Sequence, residues 1–315
     1  MTYQLHSALN LSDLQIQEPI STGTLTVVPL TRSDTREADY LTLDQALQTN
    51  SVEVTEVSDQ GFVPELLLLN LGDCPVLLID GEELIGAKQN RVLNLSVLAP
   101  AFERLHIPVS CIEQGRWHWR SRTFSAANRT LYASARASKM ADVTREMRLS
   151  RQPHSDQLAL WESIDRKSAA FQTGSPTRAA SDIFDRSGLD LELMVTAVPV
   201  REDQIGAGFF INGKFKGIEL FGEPKVFSKY IHKLIRSYGL DAIDPSAPRA
   251  GSTVDSESAK KKTRALLDKL QLERWTAHKA IGLGEDFRLQ EDEFNGGALV
   301  CDEQLIHLTV FSSSL

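Results

Sequence analysis

Short apolar runs separated by turn-forming residues fill the first third of the chain. From Val52 to Val57 apolar and polar residues nearly alternate, as expected for a strand with one buried face. Leu66 to Asn70 is almost continuously apolar, which predicts a strand buried on both faces. The runs lie at residues 25–30, 52–57, 66–70, 76–79, 82–85, 92–98 and 107–112. Short strands at regular spacing indicate an antiparallel sandwich or barrel.

Two glycine-containing turns are flanked by apolar runs on both sides. Asp80-Gly81 and Asn212-Gly213 each predict a β-hairpin, because a type I′ turn needs positive φ at both central residues. The surrounding stretches, LLIDGEELIGAK and FFINGKFKGIEL, resemble each other. An internal duplication explains this resemblance, and so do two independent uses of the same turn chemistry.

Between Phe124 and about Arg186 the apolar residues recur with helical period, but the apolar stripes are thin. Such helices are expected to lie on the sheets instead of forming a bundle of their own. Residues 191–221 return to a strand pattern, and residues 297–311 predict a last hairpin.

Three further helices are predicted. The most amphipathic begins at Pro224, a residue that the first helical turn tolerates, and Gly239 is expected to end it. A short helix is predicted at 40–47, capped by Thr42 or Asp44, and another at about 258–275.

Together these patterns predict an α+β fold, with an antiparallel β-sandwich or barrel-like sheets and helices packed on them. Residues 1–123 are expected to form a β-rich part with a candidate site, and residues 124–190 a basic helical insert. Residues 191–315 are expected to complete the sheets, with a flexible linker at 244–258. One compact unit is expected to result.

Composition excludes several classes of protein. The chain has 315 residues, 42% hydrophobic and 24% charged, and a net charge of −8, which argues against a surface devoted to nucleic acid. No apolar run approaches the ~20 residues of a membrane span. The first residues lack a signal-peptide pattern, so a cytoplasmic location is expected. The three cysteines match no metal spacing and are expected to be reduced thiols.

Charge is unevenly distributed along the chain. Residues 1–120 hold 7 basic and 16 acidic residues, whereas residues 121–180 hold 10 and 5. The two parts are expected to dock, or the basic part to meet an anion. Between Arg116 and Arg151 basic residues mix with aromatic ones, which is typical of channels for single-stranded nucleic acid. A solvated helix face paired with the acidic part explains the same pattern, and we favour it over a nucleic-acid partner.

A first polar segment, Lys88, Gln89, Asn90 and Arg91, follows the predicted first hairpin. In a strand Lys88 and Asn90 would face one way and the other two the opposite way. Inward-pointing polar groups need partners, since an unsatisfied one costs about 1–3 kcal/mol. A ligand with phosphate or ribose hydroxyls would supply them, and arginine suits phosphate. A structural network or a solvated strand end is the alternative.

A second polar segment, EQGRWHW, occupies residues 113–119. The two segments are expected to share one face and one ligand, which Glu113, Gln114 and Arg116 would also contact. On a strand Trp117 and Trp119 share a face, and either is suited to stack on a base or ring. Covering the core is the other role open to the tryptophans, and we favour it over stacking.

Four residues are candidates for acid–base catalysis. Glu82, Glu83 and Glu113 qualify because their surroundings can raise the pKa of one carboxyl while another stays ionised. His118 lies close to Glu113, although a lone histidine on a strand is more often simply surface or core. The chain has no nucleophile elbow, phosphate-binding loop or metal-ligand motif, so no metal or cofactor is assigned and turnover stays open.

Several segments resemble the ARG and rhodanese-phosphatase superfamily-associated protein domain family. They are GEE at 81–83, GAKQNR at 86–91, EQGRW at 113–117, and the later GKFKGIELFG, GLGEDFRL and ALVCDEQLIHLTVF. The resemblance extends from about Leu25 to Phe311. The family name records association with ADP-ribosylglycohydrolase-type and phosphatase-type partners. It implies a role near NAD or ADP-ribose chemistry in prokaryotic systems, and it adds weight to both polar segments but to no reaction.

Three hypotheses follow. The first is a non-catalytic ligand-binding or regulatory protein that holds a nucleotide-like or ADP-ribose-like anion. The second is a hydrolase that acts on a ribosyl or phosphoryl bond with Glu82, Glu83 or Glu113. The third is a scaffold whose hairpins bind a protein partner. The first is favoured because no nucleophile or metal motif is assembled, and ADP-ribose-processing enzymes are implied as partners by the family resemblance alone.

Overall fold

A computed structural model describes residues 10–33, 38–247 and 254–313 of the chain. The strands are β1 (Gln15–Ile16), β2 (Ile20–Thr22), β3 (Leu25–Thr31), β4 (Leu41–Thr42), β5 (Val52–Glu56), β6 (Glu65–Asn70), β7 (Val76–Leu78), β8 (Glu82–Gly86), β9 (Arg91–Leu93), β10 (Val97–Ala99), β11 (Arg104–Cys111), β12 (Phe124–Thr130), β13 (Gln204–Ile211), β14 (Lys214–Phe221), β15 (Thr276–Lys279), β16 (Glu285–Gln290), β17 (Phe294–Cys301) and β18 (Gln304–Ser312). The helices are α1 (Leu43–Gln48), α2 (Ala133–Leu149), α3 (Gln157–Ala170), α4 (Ala180–Arg186), α5 (Gly188–Ala197), α6 (Pro224–Ala242) and α7 (Ser256–Leu272).

The larger sheet is nine-stranded and antiparallel, with the path β1-β3-β13-β14-β18-β17-β16-β15 and with β2 paired to β3. Its hairpins at Asn212-Gly213 and at β17–β18 agree with the sequence patterns. The amphipathic helix α6 packs on it through buried side chains that include Phe227, Ile231 and Leu234. A second cluster of buried apolar residues includes Leu266, Leu267 and Leu270 of α7.

The second sheet is six-stranded, in the order β12-β8-β9-β11-β6-β5. A bridge between Thr55 and Thr123 brings its two edges together, so the sheet curls into a barrel. Its interior is filled by apolar side chains, among them Val54, Leu66, Leu68, Leu84, Leu93, Ile107 and Phe124. A short three-stranded sheet, β10-β7-β4, joins the two, and its β4–β7 pair is parallel. The predicted α+β fold with antiparallel, barrel-like sheets is confirmed.

The hairpin predicted at Asp80-Gly81 is wrong. β7 pairs with β10 and β4, whereas β8 pairs with β9 and β12. Gly81 does have the positive φ of a turn, +79°. Asp80, however, is 1% exposed and pairs with Lys139 and Arg136 of α2. The inward carboxylate therefore separates the two strands, and the sequence likeness to the Asn212-Gly213 hairpin does not extend to strand pairing.

Other boundaries also differ from the sequence patterns. β6 alternates between buried and half-buried residues, so Leu66 to Asn70 is covered on one face and not two. Residues 124–130 form β12, because pairing with β8 overrides the weak helical period there. Residues 188–197 form α5 where a strand was expected. Helix α6 continues past Gly239, against which Leu191 and Met194 pack so closely that a Cβ would lie 3.0 Å from each.

The three predicted parts of the chain interlock. Two elements come from the predicted insert at 124–190. β12 completes the barrel, and α2 contains Arg136, which donates a hydrogen bond to Glu219 on β14. The linker predicted at 244–258 is partly ordered, since α7 begins at Ser256, and residues 248–253 of it lie outside the described residues. The division into parts stays a prediction. Among the described helices, none has both the length and the apolar character needed to cross a membrane.

Candidate functional site

Three loops meet at one end of the barrel. They connect β5 to β6 (57–64), β8 to β9 (87–90) and β11 to β12 (112–123). The strands are antiparallel neighbours, so these loops leave the sheet on the same side. The two polar segments thus lie together, and the Asn90 backbone N–H donates to Glu113 Oε2 at 3.1 Å. Mouths of small barrels are common positions for ligand sites.

Half of this polar cluster forms a network that is closed except at Arg116 Nε, which finds no acceptor among the described residues. Arg116 Nη2 donates to Glu113 Oε2 at 2.7 Å and to Asn90 Oδ1 at 3.1 Å, and its Nη1 donates to the Ala87 carbonyl at 2.7 Å. Burial raises the pKa of Glu113, but the hydrogen bonds from Arg116 and Asn90 outweigh it and hold that pKa below its usual value. These groups join the loops to each other, so their role is to shape the barrel end.

The other half, centred on Arg91, has unused hydrogen-bonding capacity. The Arg91 side chain is fully buried; its Nη1 donates to Gln89 Oε1 at 2.6 Å and contacts the Cys111 thiol. Nη2 lies 3.7 Å from Glu56 Oε2, too far for a hydrogen bond. Across the described residues, neither Nε nor Nη2 finds an acceptor. Burial raises the pKa of the Cys111 thiol to about 11, so this sulfur is protonated at neutral pH.

Trp117 covers these cations from the solvent side. Its ring centroid lies 5.5 Å from the Arg91 guanidinium carbon and 5.4 Å from Lys88 Nζ, and the Trp119 ring lies 5.2 Å from the same Nζ. Trp117 is 46% exposed, whereas Lys88 is only 8% exposed. The strand predicted for these tryptophans is wrong, because residues 114–123 are irregular. A loop, unlike a strand, lets both rings converge on one lysine.

The alternating faces predicted for Lys88 to Arg91 are also wrong. Residues 87–90 form a bend, and all four polar side chains of the segment are buried. Within this segment the unsatisfied groups lie on Arg91, while Asn90 is used by the network around Arg116; elsewhere in the cluster Arg116 Nε and Glu56 Oε2 also find no partner among the described residues. Gln114 binds Arg178 instead, its Oε1 accepting from Nη1 at 3.0 Å, and the His118 side chain is exposed.

Glu82 and Glu83 are fully buried, and each has its own cation. Glu82 pairs with Lys233 of α6 at 2.6 Å, and Glu83 pairs with Arg129 of β12 at 2.6 Å. Burial raises the pKa of both carboxyls more than these cations lower it. Because neighbouring strand residues point to opposite faces, the two glutamates fasten different elements to β8.

Glu56 is a member of the cluster that sequence reasoning missed. Its Oε1 accepts from the Lys88 backbone N–H at 3.4 Å, and it faces Arg91. A signal was present, since Glu56 lies two and four residues after Val54 and Val52 and so shares their buried strand face. Cys111 gave no such signal, because nothing in its sequence neighbourhood marks an arginine partner.

Two cavities lie away from the barrel end, and none of the site residues predicted from the sequence lines them. One of about 400 Å³ is lined by acidic side chains, Asp39, Glu223, Asp302 and Glu303, together with Arg32 and Tyr40. Another, of about 310 Å³, contains Lys167, Lys214 and Lys216 beside Asp241 and Asp244. Over the described part of the chain, no three His, Cys, Asp or Glu side chains are placed to share a metal ion.

Comparison with known proteins gives one match. Residues 13–311 match the family model described as ARG and Rhodanese-Phosphatase-superfamily-associated Protein domain. No curated protein and no solved structure matches the chain significantly.

Proposed function

This chain belongs to the ARG and Rhodanese-Phosphatase-superfamily-associated Protein domain family, and we propose that its barrel end binds a small anionic ligand of the nucleotide or ADP-ribose kind. The family name states associations and no reaction, so the geometry of the site has to supply the argument. Binding without turnover is the function that this geometry favours.

The observation that carries the proposal is the unsatisfied guanidinium of Arg91. Two of its nitrogens, Nε and Nη2, are buried without an acceptor among the described residues, and a buried polar group left unsatisfied costs about 1–3 kcal/mol. Lys88 places a second positive charge beneath the same tryptophan ring, against the one nearby carboxylate of Glu56. A phosphate or carboxylate oxygen would satisfy the guanidinium and balance the charge.

The aromatic cover indicates a ligand that also contains a ring. Trp117 contacts both cations and exposes 46% of its surface, and Phe62 on the adjacent loop is 50% exposed. Gly61 lies so close that an added Cβ would be 3.0 Å from the Trp117 ring. For the anion to reach Arg91, the Trp117 ring has to move aside, where it can stack on a nucleobase.

The 400 Å³ cavity is less suited to such a ligand despite its size. Four carboxylate-bearing residues line it against one arginine, and like charges would repel a phosphate. In the 310 Å³ cavity Lys167 is already held by Asp241 and Asp244. The barrel end is the candidate site at which buried cations outnumber their nearby carboxylate.

Isothermal titration with ADP-ribose, NAD, a mononucleotide and inorganic phosphate tests the proposal. Replacing Arg91 with alanine removes the unsatisfied donors, so affinity is expected to fall about 10–100-fold, as for lost charged hydrogen bonds. Arg122→Ala is the matched control, because Arg122 carries the same charge on a loop at the same end of the barrel but is exposed. It is expected to change affinity less than about twofold.

A second variant distinguishes the contribution of the ligand's ring to binding from that of its anionic group. Trp117→Ala should weaken ADP-ribose binding while leaving phosphate binding equal or stronger, since the cover is removed and Arg91 stays. Absence of heat with every ligand, in a folded protein, would count decisively against the proposal. So would unchanged affinity in Arg91→Ala.

The hydrolase hypothesis stays a prediction. Glu113 is an acceptor in a closed network, and its lowered pKa makes it a poor proton donor at neutral pH. Turnover of an ADP-ribosyl or phosphoryl compound that is lost in Glu83→Gln or Glu113→Gln would restore this hypothesis. The scaffold hypothesis likewise stays a prediction.

A further inference from the structure

A serine, a histidine and a glutamate form a hydrogen-bonded chain between the two sheets, away from the barrel end. Ser96 lies in the bend between β9 and β10, His307 on β18 and Glu219 on β14. Ser96 Oγ lies 2.8 Å from His307 Nδ1, and His307 Nε2 lies 3.3 Å from Glu219 Oε2. A nucleophile, a base and a carboxylate in this order constitute the arrangement by which enzymes activate serine.

The surroundings fix the direction of the protons. Glu219 accepts hydrogen bonds from Arg136 Nη1 at 2.7 Å and from the Tyr238 hydroxyl at 3.2 Å. Burial raises the pKa of Glu219, but Arg136 and His307 outweigh it and keep the group ionised. An ionised carboxylate can only accept a hydrogen bond, so His307 Nε2 has to carry the imidazole proton that it donates to Glu219. In the neutral ring Nδ1 then accepts a hydrogen bond from Ser96.

Ser96 itself is held with its oxygen in place. Its Oγ accepts from the Asp80 backbone N–H at 3.0 Å, so its own proton is left for His307. His307 and Glu219 are almost completely buried, whereas Ser96 is partly exposed. Ser96 is thus the one member of the chain that lies partly at the surface, beside a water-sized cavity.

A small cavity beside Ser96 is lined by a cation, Arg288, that is paired with Asp286 but has two nitrogens without an acceptor among the described residues. The cavity, of about 10 Å³, is lined by Ser96, Arg288, Gly297 and Thr309 and by the two aspartates Asp80 and Asp286, which are paired with Lys139 and Arg288. Arg288 is 2% exposed and gives its Nη2 to Asp286 at 2.6 Å, while its Nε and Nη1 find no acceptor among the residues described. The glycine at 297 leaves space beside this guanidinium, because the Cβ of any other residue there would lie 3.1 Å from Arg288 Nη1.

We propose that Ser96, His307 and Glu219 form a hydrolytic triad for short acyl esters, with Arg288 stabilising the oxyanion. A void of this size holds one water-sized group, so the acyl chain is limited to about acetyl. A buried guanidinium with free N–H groups is suited to charge that develops on a carbonyl oxygen.

The reaction balances with water as the second substrate. Ser96 Oγ bonds to the acyl carbon while its proton passes to His307 Nδ1, and the ester C–O bond breaks as the leaving alcohol takes that proton. A water molecule then gives a proton to Nδ1 and attacks the acyl-serine, which releases the carboxylic acid and returns the proton to Ser96. Glu219 stays ionised and orients the imidazole throughout.

The test uses the full-length protein with p-nitrophenyl acetate. Nitrophenol release and peptide mass spectrometry should show an acetyl group on Ser96, and a fluorophosphonate probe should label the same serine. Ser96→Ala is expected to lower the release rate by about 100-fold or more. Ser168→Ala, which removes a hydroxyl that donates only to the Thr173 carbonyl, is the matched control and should keep the rate.

Adduct mapping on the unaltered protein decides the matter even if Ser96→Ala fails to fold. An acetyl or phosphonyl adduct on Ser96 supports the triad, whereas folded protein with no adduct on Ser96 overturns it. A folded Ser96→Ala variant that retains hydrolysis overturns it as well. The proposal does not rest on the anion site, because Arg91→Ala leaves all three triad residues and Arg288 in place.

Discussion

At the scale of single residues, this protein contains many charged groups that are buried but paired. Lys167 of α3 lies between Asp241 and Asp244, with its Nζ 2.7 Å from Asp244 Oδ2 and 4.8 Å from the Tyr132 ring. Breaking such a pair is costly because it leaves a buried charge without compensation. Pairs of this kind therefore contribute to stability. Arg91 and Arg288 also lie beside a carboxylate, but each has two nitrogens without an acceptor among the described residues, which makes them candidates for binding a ligand or substrate.

Asp244→Asn tests the stabilising pairs. Burial raises the pKa of Asp244, but hydrogen bonds from Lys167 and Ser246 lower it more, so the net shift is downward. A carboxyl with a lowered pKa stabilises the fold above its unfolded pKa of about 3.9, and this contribution is lost as the pH falls further. The variant is expected to lose about 1–2 kcal/mol at pH 7 in urea unfolding.

Measuring the stability of Asp244→Asn and of the unaltered protein at lower pH tests whether the loss comes from the charge of Asp244. The difference between Asp244→Asn and the unaltered protein should shrink below about pH 4, where the carboxyl becomes protonated. Asp268→Asn, at an exposed position on α7, should change stability by less than about 0.5 kcal/mol. A deficit that is equal at pH 7 and pH 3 would contradict the electrostatic explanation.

At the scale of elements, sequence patterns predict a turn or a helix cap correctly where its hydrogen-bond partners lie a few residues away. Thr42, one of the two caps that the sequence left open, caps α1 in a reciprocal capping box with Gln45. The Asn212-Gly213 turn connects two strands that pair with each other. The Asp80-Gly81 turn has similar chemistry but a different result, because its aspartate binds α2, more than fifty residues later in the chain.

Gly81→Ala should be among the most damaging single changes. The φ of +79° is strained for alanine, and its Cβ would lie 2.4 Å from Arg136 Nε, displacing a fully buried guanidinium. Urea unfolding is expected to show a loss of about 2–4 kcal/mol. Gly174→Ala is the matched control, since nothing lies within 4 Å of its added Cβ, and it should be neutral or slightly stabilising. Equal effects at both positions would show that the Arg136 contact is not important.

At the scale of the whole molecule, α2 connects the two large sheets. Arg136 reaches Asp80 beside the barrel and Glu219 on the nine-stranded sheet, and Lys139 also binds Asp80. The strand β12, just before α2, closes the barrel. The six-stranded sheet takes its strand β12 from the predicted insert at 124–190, and the nine-stranded sheet receives the Arg136 side chain from the same insert.

We therefore expect the whole chain to unfold in a single transition. Far-ultraviolet circular dichroism and tryptophan fluorescence should give the same urea midpoint, because Trp117 and Trp119 report on the barrel and Trp275 on the other core. Replacing Trp275 and Trp161, the tryptophan of α3, with phenylalanine isolates the barrel signal, after allowing for the effect on stability. Two separate midpoints would favour the three-part division instead of one unit.

Sequence patterns located the polar cluster but not the partners that decide its chemistry. Lys88 to Arg91 and Glu113 to Trp117 were recognised because polar residues interrupt apolar runs. Which of them would be satisfied depended on contacts between loops that are more than twenty residues apart, such as Asn90 with Glu113. The Ser96, His307 and Glu219 chain left no sequence signal, since it joins positions up to 211 residues apart.

By itself, the sequence determined the alternation of strands and helices, the antiparallel α+β class and the location of two polar segments, because periodicity and turn chemistry act over a few neighbouring residues. Only the tertiary structure decided that Asp80-Gly81 is no hairpin, that 124–130 is a strand, and which buried cations are left without a partner. A buried charged group pairs with whichever groups lie next to it in space, and these are determined by how strands that are far apart in the sequence pair and curl.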